Sequence, residues 1–188
     1  MISKILSNSS PYIFRGCNLS DNLPKHRILP KTGEIFIVNT LSSNDPIGKM
    51  GHFIAFIITK NILLYFDSFN LHPSVYGKHI EYFYNTQLKG RKIRSLGYRV
   101  QDTFSHVCGA HVIFFVKSLI RSNTLKSLFN RLKSFYSRSK YNINDRKVVK
   151  YVYNLRGSNL PSCGAVFCDG TINYSKCVKH LCRPFLNK

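Results

Sequence analysis

The run from Cys108 to Ile120 (CGAHVIFFVKSLI) is apolar around almost the whole circumference of a helix. A helix of that kind cannot lie on a surface and must be enclosed by other elements. It falls short of the 18 or more apolar residues a membrane span needs. It therefore predicts a buried helix inside a larger fold. Enclosing elements can be read on both sides. Residues 34–40 (EIFIVNT) predict a strand, and 52–59 (HFIAFIIT) with 62–67 (ILLYFD) predict two more, joined as a hairpin at Lys60-Asn61. A helix is expected over 73–88, a strand over 95–100 and helices over 124–136 and 145–155, with loops at 9–12 and 18–30. No internal repeat is present. The expected class is α+β, a mainly antiparallel sheet packed on a central buried helix. It forms one domain over residues 1–157, followed by a cysteine-rich basic tail over 158–188.

Charge constrains the partners. In 188 residues, 28 Lys and Arg face 8 Asp and Glu, a net +20, and a field of that size attracts polyanions, nucleic acid above all. Lys89, Arg91, Lys92 and Arg94 form one cluster; Arg131, Lys133, Arg138, Lys140, Arg146 and Lys147 form another, with Tyr136, Tyr141 and Tyr151 interleaved where they could stack on bases. No base-reading motif accompanies them, so sequence-independent, salt-sensitive binding to double-stranded DNA is expected. A membrane surface is the rival acceptor, but no long basic amphipathic helix with a clean apolar stripe is present. The N-terminal apolar stretch is too short for a secretory signal, so reduced thiols in an intracellular setting are expected.

Four residues suit thiol chemistry in their order and context: His52, Asp67, Gln101 and Cys108. Cysteine attacks, histidine carries the proton, a carboxylate orients the histidine, and glutamine donates to an oxyanion. Cys108 opens the buried helix, where unpaired N–H groups and the helix dipole favour a thiolate. Gly109 after it leaves room for substrate backbone. Counted outward from the hairpin turn, His52 and Asp67 are two out of register but of equal parity, so both side chains can face one side of the sheet. Gln101, seven residues before Cys108, can combine with the Cys108 N–H as a two-donor oxyanion hole. Singly, each residue also has an ordinary structural role: a core histidine, a strand-ending aspartate, a small buried cysteine. Jointly they point to a cysteine endopeptidase, a thiol-dependent hydrolase. Rival histidines, His106 and His111, lie too close in sequence to Cys108 to converge on its sulfur, and Cys17 and Cys163 lack a suitably spaced glutamine.

These motifs resemble the adenovirus-type maturation protease family, adenain, whose clan also holds the ubiquitin-like-protein proteases. Shared features run from Pro11-Tyr12 through Ile37-Val38-Asn39-Thr40 to Gly51-His52 with an aromatic next, then an acidic residue before Phe69. They end in Gln101, six intervening residues, and Cys108-Gly109. Residues 10–155 carry the likeness, and the Gln-to-Cys step is its most specific part, being one residue longer than is usual in the ubiquitin-like-protein proteases. The resemblance implies an adenain-type fold, cleavage of viral precursor proteins at Gly-containing sites, DNA as activator, a monomer, and residence in the virion and host nucleus. The family is also activated by a short basic peptide through a disulfide. Here no cysteine stands at the equivalent place, Asp67 replaces a glutamate, and Phe53 replaces a tryptophan. Two other classes fit part of the sequence. One is a peptidase that deconjugates ubiquitin-like modifiers; the other is a non-enzymatic viral DNA-packaging protein whose charge is its function.

In the tail, Cys163, Cys168, Cys177 and Cys182 form a C-x4-C…C-x4-C pattern, at the edge of the usual zinc-knuckle spacing. Zinc, disulfides and free thiols all remain open for it. The basic stretch around Cys177 and Cys182 has the flavour of the family's activating peptide, which makes the tail a candidate activator in cis.

Overall fold

The computed structural model describes residues 11–46, 49–155, 167–168 and 171–172. A five-stranded sheet runs in chain order: β1 (Tyr12–Leu19), β2 (Gly33–Asn39), β3 (Phe53–Ile58), β4 (Ile62–Phe66) and β5 (Lys92–Arg94). Helix α1 (Lys78–Leu88) follows a 3-10 turn at Pro73–Tyr76. Helices α2 (Cys108–Ile120), α3 (Leu125–Phe135) and α4 (Tyr141–Leu155) complete the domain. Strands β6 (Phe167–Cys168) and β7 (Thr171–Ile172) pair separately in antiparallel fashion.

Period-two alternation along the central strands divides the core in two. Ile35, Ile37, Ala55, Ile57, Leu64 and Phe66 face α2, α3 and α4, whereas Phe36, Val38, Ile54, Phe56, Ile58, Leu63 and Tyr65 pack with α1 and the β1–β2 connection. Apolar side chains are needed on both faces, which is why these strands read as continuous hydrophobic runs. Helix α2 is enclosed as its sequence requires: Phe115 stacks on Phe66 with ring centroids 4.3 Å apart, and Phe114 meets Phe135 at 3.8 Å. At about 1.5–3 kcal/mol per fully buried large apolar side chain, α2 is a principal source of stability.

The sheet is mixed rather than mainly antiparallel. β2–β3 and β3–β4 are antiparallel, but β1 runs parallel to β2 and β5 parallel to β4. The cause is connection length: residues 20–32 and the α1 crossover carry the chain back before the next strand begins, while only Thr59–Asn61 separate β3 from β4. Four boundaries also differ from expectation. β1 occupies a stretch read partly as loop, with a bulge between Phe14 and Cys17 around Gly16 at φ 92. The strand expected at 95–100 sits earlier, at 92–94, because Gly97 at φ 80 ends extended pairing. Gly77 at φ 93 divides the expected 73–88 helix into a 3-10 turn and α1. Helix α4 begins at Tyr141, four residues ahead of the expected 145.

Arg91 is not at the surface with the rest of the basic cluster. Its guanidinium is buried, donating to the carbonyls of Thr59 (2.7 Å), Gln87 (2.6 Å) and Ile28. Beside it Gln87 accepts from the Ile28 N–H (2.9 Å) and donates to the His26 carbonyl (2.8 Å), so the two side chains fasten the β1–β2 connection to α1. Arg91→Ala therefore destabilises the domain by about 3 kcal/mol, since buried carbonyls lose a charged donor. Urea unfolding reads this directly.

Candidate active site

The hairpin register sets the first part of the site. Ala55 pairs with Phe66, so His52 lies three residues beyond the last pair on one strand and Asp67 one residue beyond it on the other. The two-residue offset brings the side chains together: His52 Nε2 lies 2.6 Å from Asp67 Oδ1. His52 is held at its backbone as well, its N–H donating to Thr40 Oγ1 (2.9 Å) and its carbonyl accepting from the Thr40 N–H (2.8 Å). Gly51 before it has no room for a side chain, because a Cβ would lie 2.0 Å from Asn39 Oδ1 and 2.7 Å from Leu41 Cγ.

Asp67 is enclosed by donors. Oδ1 accepts from His52 and the Phe69 N–H (3.0 Å), and Oδ2 from the Leu71 N–H (2.8 Å) and the Tyr76 hydroxyl (2.8 Å). Asn70 at φ 57 closes the tight turn that aims these amides, with its own N–H on the Asp67 carbonyl (3.0 Å). Burial pushes the Asp67 carboxyl upward, but the hydrogen bond and charge of His52, followed by the Phe69 N–H and Tyr76, hold it below the usual carboxylate value. Burial lifts the Tyr76 hydroxyl, and the Asp67 charge lifts it further, so it is a donor only. The Phe69 and Tyr76 rings lie near-parallel to the imidazole, at 4.9 and 5.4 Å.

Cys108 opens α2 and is buried. Its side chain lies close enough to His52 to help raise the imidazole pKa. With Nε2 committed to a carboxylate that can only accept, Nδ1 is the imidazole atom left for sulfur. Burial alone would lower the His52 pKa. The Asp67 hydrogen bond, then the hydrogen bond and charge of Cys108, more than offset it and raise His52 to about 9. The first hydrogen bonds of α2 start at Ala110 and His111, both to the Val107 carbonyl, so the Cys108 and Gly109 N–H groups precede the ladder. A Cβ on Gly109 would meet only Phe53, at an ordinary 3.7 Å. The protein itself therefore does not demand glycine there.

Gln101 is 1% exposed. Its Oε1 accepts from Ser68 Oγ (2.6 Å) and its Nε2 donates to the Ser105 carbonyl (2.8 Å). The Ser105 carbonyl, which can only accept, fixes which end of the amide is NH₂, and that NH₂ keeps a second hydrogen beyond the one given to Ser105. Ser68 also accepts the Val100 and Gln101 N–H groups at its carbonyl (2.9 and 3.1 Å). The residue next to Asp67 thus anchors Gln101. The structure joins His52 to Asp67 directly, brings Cys108 within electrostatic reach of His52, and links Gln101 through Ser68. Sequence reasoning overlooks Ser68 and Tyr76; the Pro73-to-Gly77 framing of Tyr76, a tight-turn signature, is the signal that could have located it.

On the rest of the surface, Lys89, Lys92, Arg94, Arg131, Lys133, Arg138, Lys140, Arg146 and Lys147 are exposed. Between residues 89 and 155 the acids are Asp102 and Asp145, and Asp145 is buried. Few negative charges therefore offset this side. Tyr136 is not available to stack on bases: it is a core residue, its hydroxyl bonded to His111. Tyr141 lies under Arg99 at 4.3 Å and Tyr98 under Arg138 at 4.7 Å. Among the described residues no group of three or more His, Cys, Asp or Glu is placed to hold a metal ion, and no helix is long and apolar enough to cross a membrane. Cys163, Cys177 and Cys182 lie outside the described residues, as does the Cys168 side chain, so the readings of the tail as metal site or activator concern segments outside the described fold. Compared with models of known protein families and with curated proteins, the chain finds no match.

Proposed function

We propose that this protein is a cysteine endopeptidase of the adenain type, which matures viral precursor proteins at Gly-containing sites and is stimulated by double-stranded DNA. The observation that carries the reading is one imidazole bonded to a buried carboxylate, with a thiol at the start of an enclosed helix near enough to raise its pKa. No structural need of the core calls for that combination.

The reaction starts from a Cys108 thiolate beside a His52 imidazolium. Sulfur adds to the scissile carbonyl carbon, and the resulting oxyanion accepts from the second Gln101 amide hydrogen and the Cys108 N–H. Collapse breaks the C–N bond as His52 gives its proton to the departing amine. Neutral His52 then takes a proton from water, whose oxygen adds to the thioester. The second collapse releases the new carboxyl terminus and restores thiolate and imidazolium. Asp67 keeps the imidazole oriented throughout.

Support for DNA as the partner lies in the exposed cations of α3, α4 and β5. Their binding is electrostatic and weakens by orders of magnitude between about 50 and 200 mM salt. The test is hydrolysis of Gly-containing peptides with and without DNA, before and after alkylation of Cys108. Cleavage that DNA raises and alkylation abolishes supports the reading; cleavage indifferent to alkylation sinks it.

The protonation of His52 sets a pH limit. Its pKa lies above the ordinary imidazole value, so the proton needed by the leaving amine is fully present at neutral pH and is lost as pH rises through about 9. An alkaline fall in kcat/KM centred there is expected. A limb near the ordinary 6.5 would contradict the pairing.

A further inference from the structure

A second buried polar cluster lies behind the site, on α4. Asn144 is 0% and Asp145 2% exposed. Asn144 Nδ2 donates to the carbonyls of Val100 (2.9 Å) and Ser137 (2.7 Å), while its Oδ1 accepts from the Ser137 N–H (2.8 Å). Asp145 Oδ2 accepts from the Asp102 N–H (3.2 Å) and Oδ1 from His111 Nε2 (2.8 Å). His111, fully buried on α2 three residues after Cys108, completes its bonding by accepting from the Tyr136 hydroxyl at Nδ1 (3.0 Å). Burial lowers the His111 pKa against the pull of Asp145, which fits a neutral ring donating through one nitrogen and accepting through the other.

Two consecutive residues of α4 thus grip the peptide groups on either side of Gln101, the Val100 carbonyl and the Asp102 N–H. One of them, Asp145, also grips the helix that carries the nucleophile. A carboxylate buried this deeply is a poor means of gaining stability, since its desolvation offsets most of the attraction. What it supplies is a directional tie between two segments, which an apolar pair cannot give.

We infer that Asn144 and Asp145 are positioning residues that set the Gln101 amide relative to the Cys108 N–H, so that both donors meet one oxyanion. The inference rests on the peptidase reading for its catalytic meaning, but the positioning itself is independently measurable. In Asp145→Asn a single amide oxygen must serve two donors, so either the Asp102 N–H or His111 loses its acceptor.

The expected result is a fall in kcat of about 10²-fold with KM nearly unchanged, the cost of displacing a transition-state donor. Alkylation of Cys108 by iodoacetamide, which forms no oxyanion, proceeds at the wild-type rate. The double variant Gln101→Ala/Asp145→Asn is no slower than Gln101→Ala alone, because the second change acts through a residue already removed. Multiplicative losses, or alkylation that slows in step with hydrolysis, overturn the inference.

If the wild-type protein cleaves no peptide, the peptidase reading fails by itself, and NMR decides the positioning. Displaced Gln101 side-chain amide signals and faster exchange at the Asp102 N–H in Asp145→Asn uphold it; unmoved Gln101 signals refute it. Should that variant not fold, Asn144→Asp, which keeps the size but removes the donor to Val100, takes its place with the same measurements.

Discussion

Cys108→Ala lowers kcat/KM for Gly-containing peptides by about 10⁴-fold or more, to the level that binding and oxyanion stabilisation alone provide. The loss is that large because every bond-making step passes through the sulfur. Alanine keeps the helix start and removes a single buried atom, so the fold persists and circular dichroism is unchanged. His52 responds too. Without the hydrogen bond and charge of Cys108 its pKa drops from about 9, which histidine NMR detects without any turnover. If the exposed cations bind DNA as proposed, this variant binds it as wild type does, since it leaves those cations in place. Full activity in Cys108→Ala would end the peptidase proposal outright.

For Asp67→Asn we expect a loss of about 10³–10⁴-fold, with most of it in kcat. Asp67 accepts four hydrogen bonds with two oxygens, and asparagine has only one. If the amide oxygen keeps the Leu71 N–H and Tyr76, the NH₂ faces His52 Nε2 and the Phe69 N–H. The imidazole must then accept at Nε2, so the doubly protonated ring that donates to the carboxylate on one side and faces the sulfur on the other is lost. The charge that helped hold His52 at about 9 also disappears, so whatever activity survives has its alkaline limb moved to lower pH. Stability changes in the matching window. Asp67, whose carboxyl is held low, contributes above its ordinary 3.8 and loses that contribution as pH falls. His52, held high, contributes fully below 6.5 and loses it as pH rises through about 9. Wild type is therefore more resistant to urea than Asp67→Asn at neutral pH, and the gap narrows in both directions. An unchanged limb in Asp67→Asn would show that the carboxylate does not govern the imidazole.

How much of this was readable beforehand depends on the range of the interaction. The β3–β4 hairpin and the His52–Asp67 offset are local, fixed by parity about a two-residue turn, and counting along the chain recovers them. Helix α2 announces itself because no surface helix could be so apolar. β1 does not, because an edge strand buries only alternate residues and Gly16 interrupts even that pattern. Gly77 separates a 3-10 turn from α1 at a positive φ, and Gly97 lies at a positive φ inside the stretch expected as a strand, breaks that composition signals but does not place to one side or the other. Lys89 and Arg91 look alike in sequence, yet one is solvated and the other is caged by three carbonyls drawn from the β3–β4 turn, α1 and the β1–β2 connection. Ser68 gave no sign of its task, since its partner Gln101 lies 33 residues away. Asn144 and Asp145 are polar residues inside α4, which begins at Tyr141 rather than at the expected 145. In the fold the same polarity is their purpose.

The separation of partners along the chain has a bearing on synthesis. His52 and Asp67 are 15 residues apart and can meet soon after the hairpin emerges from a ribosome, whereas Asp102 and His111 wait 43 and 34 residues for Asp145. A nascent chain that has passed Cys108 but not yet reached α4 already holds its nucleophile and base, yet not the tether behind Gln101. On the proposed peptidase reading, competence would then arrive as one late event in translation, after α4 has docked, and neighbouring nascent polypeptides would be spared premature cutting.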